Sequence, residues 1–448
     1  MLETINFYIS GAVVPLFLVA AGIYYSVRLK FFHLLRPRVV TGALISGGKS
    51  GGVSSAKALT LALAGTLGVG NIVGVSSAIY LGGFGAVFWM WVSALVAMIL
   101  KYAEIVLAMK YKDKDGRGAA MYYIRKFLSS LGLARLGRVL AAVFATLFLL
   151  TSLTMGSMLQ SNAVSEAAEG VLSIPRVCTG AAVAVGAFLV IRKGVHSISA
   201  LTNVLVPLMS LAYVVISVVV IVKSGSAVGA VFSEIFKSAF STTAAASGVG
   251  GFIFTRSVRY GIMRGLVSNE AGCGTAPTAH AISDCPCPAR QGMWGIFEVF
   301  VDTIVLCTMT AIVVILNYGE AARFGGSFMM MTISAYSLGI GDFAAYFLCM
   351  ATFCFGFATI LCWAHYGLVC AEYLFKSPRV SCIFTTVYCA TVFIGAIISS
   401  DIPWQLSDLC MGAMTVINLL ILVLMSKEVK HETDLYLNTN TKTASSHK

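Results

Sequence analysis

Long apolar runs that follow one another along the chain are the feature that most constrains its fold. Hydrophobic residues make up 58% of the 448 residues and charged residues only 11%, whereas soluble domains carry about a quarter charged residues. The charges fall between the runs rather than along one face of each run. The sequence therefore predicts an all-α protein that crosses a lipid bilayer many times.

Eleven of these runs are long enough to cross about 30 Å of hydrocarbon. The predicted spans lie at about residues 8–27, 53–81, 84–109, 139–161, 177–191, 198–222, 227–255, 292–317, 342–374, 380–400 and 404–425. The first run has no cationic leader before it and no small-residue cleavage site after it, so it is predicted to be a retained span.

The positions of Lys and Arg predict the orientation, because cations in short loops stay on the cytoplasmic side. Most of the 31 Lys and Arg residues lie in alternate loops. One of these loops follows the seventh predicted span and holds Arg256, Arg259, Arg264 and Arg290. We therefore expect a multi-pass membrane protein with the N-terminus outside and the C-terminus cytoplasmic. The polar tail, residues 427–448, is predicted to be disordered.

Two predicted spans carry glycine clusters that are typical of broken helices. Gly65, Gly68, Gly70 and Gly74 surround Asn71 in the second span, and Gly248, Gly250 and Gly251 follow Ser247 in the seventh. Unwound backbone is tolerated at membrane depth only where protein or a cavity satisfies it, and half-helix ends suit carboxylates and cations. The alternative is close helix packing through small residues.

The places of the two clusters predict an internal repeat. With the first span set aside, each cluster lies in the first helix of a group of five, and two groups of five helices must have opposite orientations in the membrane. The predicted organisation is an extra N-terminal helix and loop (1–50), two five-helix repeats (51–223 and 224–426) and the tail.

Four stretches resemble one known family, the alanine or glycine:cation symporters of prokaryotes. They are GTLGVGNIVGV (Gly65–Val75), LQSNAV (Leu159–Val164), RGLVSNEAGCGTAPTAHA (Arg264–Ala281) and FGFATILCWAHYG (Phe355–Gly367). The resemblance implies a leucine-transporter-like fold and uptake of alanine or glycine coupled to Na+ by alternating access, with no organic cofactor. The chain departs from the family at Ala358, where a hydroxyl residue is usual, and this change leaves Na+ one ligand fewer.

The glycine clusters and the resemblance together select the candidate site residues. Those predicted to bind substrate are Thr66, Gly68, Gly70, Asn71, Gln160, Asn162, Ser247, Gly248, Gly250, Gly251 and Trp363. Thr359 and Asn71 are candidate Na+ ligands, and Asp302 is an intramembrane carboxyl group with a structural or ion-linked role. His365 is a candidate proton relay. The stretch SNEAGCGTAP is predicted to lie at the cytoplasmic side and to help gate the inner exit.

Other functions are weighed against this interpretation. An H+-coupled carrier using His365 or Asp302 is one alternative, and a channel or membrane receptor for the same ligand is another; accumulation against a gradient separates a carrier from both. Walker A, GxSxG and HExxH motifs are absent, so no enzyme is predicted. The sequence contains no basic stripe interleaved with aromatic residues, so no nucleic-acid partner is predicted. The oligomeric state is left open.

Overall fold

The computed structural model describes residues 8–45, 53–113, 116–240 and 256–445, and these residues form helices and turns without any β-strand. The helices are α1 (Val14–Arg28), α2 (Phe32–Leu35), α3 (Pro37–Ile45), α4 (Ser55–Thr66), α5 (Val73–Gly82), α6 (Gly85–Lys110), α7 (Ala120–Ser130), α8 (Ala134–Leu153), α9 (Leu159–Leu172), α10 (Arg176–Ile191), α11 (Val195–Lys223), α12 (Ala227–Ala239), α13 (Arg256–Asn269), α14 (Ala276–His280), α15 (Pro288–Val299), α16 (Thr308–Leu316), α17 (Tyr318–Ala321), α18 (Phe328–Ile340), α19 (Phe343–Leu374), α20 (Val380–Ile397), α21 (Asp401–Leu424) and α22 (Ser426–Ser445).

Short segments of other helical geometry join or precede some of these helices. Two are 3₁₀ turns, Val69–Asn71 before α5 and Ala322–Phe324 after α17. Three are π-helical, namely Ile9–Val13, Thr154–Met158 between α8 and α9, and Phe300–Cys307 between α15 and α16.

Nine of the predicted spans are found by length and apolarity within the described residues. Eight are continuous helices, and the ninth is the pair Ser55–Thr66 and Val69–Gly82, bent by 59°. The 16-residue α10 is shorter, but it packs along α20: Gly180 near its start faces Ala396, and Ile191 at its other end lines a cavity with His365. It therefore makes a tenth crossing of the bundle.

A further crossing lies at residues 256–284, whereas only residues 227–240 of the predicted span 227–255 lie within the described part of the chain. Ser257 Oγ donates to the carbonyl oxygen of Gly82, 2.6 Å away, and Asp284 N donates to that of Val53, 3.1 Å away. Val53 and Gly82 lie at opposite ends of the bent second crossing, so the chain from Ser257 to Asp284 crosses the whole bundle. We call these two ends of the bundle the Gly82 end and the Val53 end.

Three arginines therefore lie at the opposite end from the one that the charge pattern predicted. Arg256 and Arg259 begin α13 at the Gly82 end, and the Arg264 guanidinium lies 4.6 Å from the Trp404 ring centroid and 3.7 Å from Asp408 Oδ1. The charge pattern failed here because it assumes that cations stay in water-exposed loops, whereas Arg264 is drawn into the bundle by an acidic and an aromatic partner in α21.

The second helix break lies between α13 and α14, at residues 270–275. Glu270, Gly272 and Gly274 all have positive φ, at 54°, 86° and 82°, and such backbone cannot continue a right-handed helix. The predicted break at Ser247, Gly248, Gly250 and Gly251 lies outside the described residues. SNEAGCGTAP, which was predicted to lie at the cytoplasmic side, is instead this buried break.

Two groups of five crossings follow α1, and each group begins with a broken helix. The first runs from α4 to α11 and the second from α13 to α21. The two breaks face each other, because Asn71 Nδ2 donates to Ser268 Oγ at 3.1 Å. Helix α13 packs closely on α6 through Gly261 and Gly265, where a Cβ would meet Ala86 and Ser93. This arrangement is the predicted five-plus-five inverted repeat with an extra N-terminal helix.

The tail differs from the prediction, since Ser426–Ser445 is the helix α22 rather than a disordered segment. Val429 is fully buried, Thr433 hydrogen-bonds to Tyr102, and Lys110 lies within 3.3 Å of Glu428 and 3.2 Å of Glu432. Composition alone could not reveal this helix, because its order comes from docking on α6.

Candidate functional site

The first helix break releases backbone groups at the centre of the bundle. Helix α4 ends at Thr66, and Gly68 N bonds to the carbonyl of Thr66 instead of continuing the α-helical ladder. The carbonyl oxygens of Ala64 and Gly65 and the N–H of Val69 therefore lose their usual helical partners. Buried groups of this kind need other hydrogen-bond partners.

Three side chains from neighbouring crossings supply those partners. Gln160 Oε1 accepts from Val69 N at 3.1 Å, and Thr359 Oγ1 donates to Ala64 O at 2.8 Å. Trp363 Nε1 donates to Gly65 O at 3.2 Å. The structure thus brings together three side chains that the sequence selected from different parts of the chain.

Gly68 is the point at which these side chains converge on the broken helix. A Cβ there would lie 2.7 Å from Gln160 Oε1 and 2.8 Å from Thr359 Oγ1. Real Cβ atoms do not come so close, so glycine is required by the approach of the two side chains. Gly70, by contrast, is only in ordinary contact with Val267 and Ser268 of the second broken helix.

Asn71 joins the first break to the eighth crossing. Its Nδ2 donates to Asp302 Oδ1 at 2.8 Å, and Asp302 Oδ2 accepts from Ser268 and Thr303 hydroxyls, each at 2.7 Å. The carboxylate of Asp302 is thereby well supplied with donors, which fits the structural role predicted for it.

A small cavity lies against this break. Its volume is about 10 Å³, enough for about one water molecule. Its wall is formed by Leu67, Gly68, Asn71, Ile72, Tyr213, Leu306 and Phe355. Asn71 Oδ1 is buried without a hydrogen-bond partner among the described residues. The cavity therefore has one free acceptor among its lining residues, which are mostly apolar and aromatic. Of these residues, Tyr213 carried no recognisable signal in the sequence, and Phe355 was not among the predicted site residues.

Two π-helical segments set the direction of key side chains. Thr154–Met158 directly precedes the helix that bears Gln160, and Phe300–Cys307 contains Asp302. A π segment inserts an extra residue into a turn and so rotates the residues that follow it; such segments occur often at functional sites. Gly156 in the first segment lies directly against Trp363.

The second break is held by polar side chains of α6 and α21. Lys101 Nζ donates to Asn269 O at 2.6 Å, Glu104 Oε1 accepts from Gly274 N at 2.8 Å, and Asn418 Nδ2 donates to Gly272 O at 2.9 Å. At each break, side chains from other crossings thus form hydrogen bonds with the released backbone groups, as buried irregular backbone requires.

Lys101 also belongs to a buried ion-pair chain between the two breaks. Its Nζ lies 2.9 Å from Glu298 Oε1, and Glu298 Oε2 lies 2.9 Å from His280 Nε2. His280 Nδ1 in turn lies 2.9 Å from Gln291 Nε2. All four side chains are at most 1% exposed. No such role was predicted for Lys101, Glu104 and His280, although ionisable residues within apolar spans are themselves a signal.

Three other predicted residues direct their side chains away from the released backbone groups. Thr66 lies at the first break, but its Oγ1 lies 3.4 Å from its own helix carbonyl at Ala62 and 3.5 Å from Glu298 Oε1. Asn162 Nδ2 donates to the carbonyls of Gly395 and Ile398 at the end of α20. His365 lines a cavity at the Val53 end, away from Asp302.

The cavity at the Val53 end has a volume of about 440 Å³ and polar walls that include His196, Asp284, His365 and Glu372. Thr278 of α14 also lines it, so this cavity reaches the second broken helix. Lys112, in the loop after α6, borders it and donates to Ser283 O at 2.6 Å. Burial lowers the pKa of Lys112 from its ordinary value.

Comparison with known proteins decides the family. The sequence profile described as the sodium:alanine symporter family matches residues 1–448. The chain belongs to this family. As a member of the sodium:alanine symporter family it is a membrane transporter and not an enzyme, as the sequence predicted.

Curated relatives of the chain agree with that assignment. The chain is 33% identical to the sodium/alanine symporter AgcS of Methanococcus maripaludis, over 97% of this chain and 96% of AgcS. It is 35% identical to the uncharacterized transporter YflA of Bacillus subtilis, over 96% of this chain and 91% of YflA. It is also 33% identical to the amino-acid carrier protein AlsT of Bacillus subtilis, over 91% of this chain and 86% of AlsT.

Solved structures confirm the fold of this family member. A Na+-coupled sialic acid symporter superimposes with a TM-score of 0.54 at 14% identity, covering 96% of this chain and 86% of that one. A manganese transporter of Eremococcus coleocola gives a TM-score of 0.50 at 12% identity, covering 85% and 84%. At such identities the likeness concerns the fold, which is the leucine-transporter-like fold expected from the sequence.

Proposed function

We propose that the chain is a Na+-coupled symporter that takes up a small neutral amino acid, alanine or glycine, by alternating access. The observation that carries this proposal is the convergence of Gln160, Thr359 and Trp363 on the released backbone of the first break. The family and the printed name of AgcS support the choice of solute and ion.

The amino-acid carboxylate would bind where Gln160 Oε1 now accepts from Val69 N. A carboxylate oxygen is a stronger acceptor than an amide oxygen, and the break presents backbone N–H groups at the start of the second half-helix. The free Asn71 Oδ1 is an acceptor for the substrate ammonium group. The cavity of about 10 Å³ must enlarge to admit even glycine, and walls such as Tyr213 and Phe355 favour a small side chain.

Na+ would bind beside this site, at the end of the first half-helix. The released Ala64 carbonyl and the Thr359 hydroxyl are two hard oxygen donors that already lie within 2.8 Å of each other, and hard cations prefer such ligands. Ala358 contributes no hydroxyl, so backbone oxygens must supply the rest of the site. Because Na+ and substrate would order the same break, each is expected to raise the affinity for the other.

Alternating access would open the site to each end of the bundle in turn. On the Gly82 side, Thr332 of α18 hydrogen-bonds to Ser76 at 2.6 Å and contacts the Ile72 carbonyl. On the other side, α14 separates the breaks from the cavity at the Val53 end. We place the Val53 end in the cytoplasm, because the cation-rich loop after α6 lies there; this puts the N-terminus outside and the C-terminus inside a bacterial or archaeal cytoplasmic membrane.

Uptake of labelled alanine and glycine by proteoliposomes tests the proposal. An inward Na+ gradient is expected to drive accumulation above the external concentration, which neither a channel nor a receptor can achieve. Equal uptake when K+ replaces Na+ would refute Na+ coupling. Accumulation driven by an inward pH gradient alone would support the H+-coupled alternative instead.

Replacing Thr359 by valine is expected to weaken Na+ coupling specifically. The change keeps the shape of the side chain but removes one of the hard oxygens near Ala64. Hydrogen bonds and contacts to charged groups are worth about 1.5–3 kcal/mol, which corresponds to about a tenfold or larger rise in the Na+ concentration for half-maximal uptake. Thr352→Val is the matched control, since Thr352 is equally buried on α19 but contacts Met329. Equal Na+ dependence in both variants would remove Thr359 from the ion site.

A further inference from the structure

The buried charges around the second break do not balance. Lys101 pairs with Glu298, and His280 occupies the other oxygen of Glu298. Two more carboxyl groups, those of Glu104 and Glu270, lie in the same polar region at no more than 1% exposure. No Lys or Arg among the described residues forms an ion pair with Glu104 or Glu270. Within those residues, the buried carboxyl groups therefore outnumber the one buried ammonium group, that of Lys101.

Each excess carboxyl group has one oxygen that is hydrogen-bonded and one that is not. Glu270 Oε2 accepts from Thr275 Oγ1 at 2.7 Å, while Glu270 Oε1 is buried without a partner in the described part of the chain. Glu104 Oε1 accepts from Gly274 N and Asn418 Nδ2, and its Oε2 is likewise unpartnered there. The unpartnered oxygen has no donor that could stabilise a negative charge on it, and this disfavours the ionised form.

Burial decides between the ionised and neutral forms. An unpaired carboxylate in a low-dielectric interior is so unfavourable that such a group takes up a proton instead. A bound cation is the other way to balance the charge, and infrared spectroscopy separates the two cases, because a carboxylate that holds a cation gives no protonated-carboxyl band.

The backbone at Glu270 is the second observation that marks this residue. Its φ of 54° lies in the left-handed region, which glycine adopts freely and a glutamate adopts only with strain. Strained non-glycine residues of this kind cluster at functional sites. Since Gly272 and Gly274 occupy the other two left-handed positions of the break, a glutamate at 270 indicates that its side chain is needed.

We propose that Glu270 is a proton site built into the second helix break, protonated in this conformation and able to release its proton when the break opens. The proton would leave to water in the cavity at the Val53 end, because Thr275, which bonds Glu270, directly precedes α14, and Thr278 of α14 lines that cavity. Glu104 lies on the continuous helix α6 and is expected to keep its proton. Linkage of this proton to transport rests on the proposed function, whereas protonation itself does not.

Several charged or titratable groups face Glu270 and bear on its proton. Lys101 belongs to α6, Glu298 to α15 and Asp302 to the π segment that follows α15. The other groups are Tyr366 and Cys362 of α19 and Cys273 of the break itself. The ammonium group of Lys101 favours ionisation, while the carboxylates of Glu298 and Asp302 oppose it. Because Lys101 is already paired with Glu298, the balance at Glu270 favours the proton.

Infrared difference spectroscopy of the reconstituted, ligand-free protein tests the protonation directly. Protonated carboxyl groups give a carbonyl stretching band that carboxylates lack and that shifts when H2O is exchanged for D2O. At neutral pH the wild type is expected to show this band, Glu270→Gln to lose one component of it and Glu104→Gln to lose another. Glu372→Gln is the control and should leave the band unchanged, because Glu372 is 30% exposed and paired with Arg117.

Two variants at position 270 guard against loss of the fold. Glu270→Gln keeps the shape of the side chain and an acceptor for the Thr275 hydroxyl. Glu270→Gly removes the strain of the left-handed backbone. A wild type without the band, or a band that both Glu270 variants retain in full while folded, would overturn the proposal.

A second measurement tests the link to transport. Alanine and Na+ are added to the detergent-solubilised protein in weakly buffered solution with a pH indicator, and the wild type is expected to release protons, whereas Glu270→Gln is not. Alanine binding without any proton exchange would overturn the link alone. Absence of alanine binding would refute the proposed function, while the infrared result would still stand.

Discussion

Alanine in place of Gly68 is expected to abolish most of the transport activity. The new Cβ would come within 2.7 Å of Gln160 Oε1 and 2.8 Å of Thr359 Oγ1, so both side chains must move away from the backbone groups they bind. The Cβ would also fill the space beside Val69 N and Ala64 O where the carboxylate and Na+ are proposed to bind, and weakening two such contacts by about 1 kcal/mol each predicts a loss of about 30-fold in apparent substrate affinity. Initial rates of alanine uptake at several substrate and Na+ concentrations measure the effect.

Gly74→Ala provides the matched control for this experiment. Gly74 lies in the other half of the same broken helix, and a Cβ there meets no atom within 4 Å. It should also favour the helix slightly, because alanine has a higher helix propensity than glycine. Similar losses in both variants would mean that glycine content, and not the close approach at Gly68, governs activity.

Replacing Lys101 by methionine is expected to have the largest effect on stability. The change leaves Glu298 buried without its ammonium partner and the Asn269 carbonyl without its donor. Removal of one member of a buried ion pair costs about 3–5 kcal/mol. The midpoint of thermal unfolding in detergent, followed by size-exclusion chromatography, measures the loss.

The double variant Lys101→Met with Glu298→Met shows whether the loss arises from the uncompensated charge. Without either ion the pair's desolvation penalty disappears, so the double variant is expected to be more stable than Lys101→Met alone. Lys110→Met is a surface control: Lys110 is 31% exposed in its pairs with Glu428 and Glu432, and such pairs contribute up to about 1 kcal/mol. An equal destabilisation by Lys110→Met would contradict the special importance of the buried pair.

The sequence predicted the first broken helix because its signal is local, with glycines surrounding Asn71. Gln160, Thr359 and Trp363 were selected with the help of the family resemblance, and their binding roles stay predictions. The internal repeat was predicted from two glycine clusters, of which only the first lies in the described residues. The π segments that aim Gln160 and Asp302 leave no comparable pattern in composition.

The broken helix at residues 256–284 was missed for a physical reason. It carries three arginines, so apolarity does not select it, and it owes its place to contacts with α6 and α21. The polar partners of its break were also missed. Lys101 and Glu104 stand in an apolar span, but their purpose becomes visible only when Asn269 and Gly274 are folded against them.

The arginines of α13 have a consequence for how the protein is made. An arginine in a membrane helix disfavours insertion, most strongly at the helix centre, and Arg264, which lies towards the Gly82 end, finds Asp408 and Trp404 only in α21. Helix α13 leaves the ribosome long before α21 exists. Its final place in the bundle is therefore reached only after α21 has been made, so that assembly of the second half is a late step rather than a helix-by-helix one.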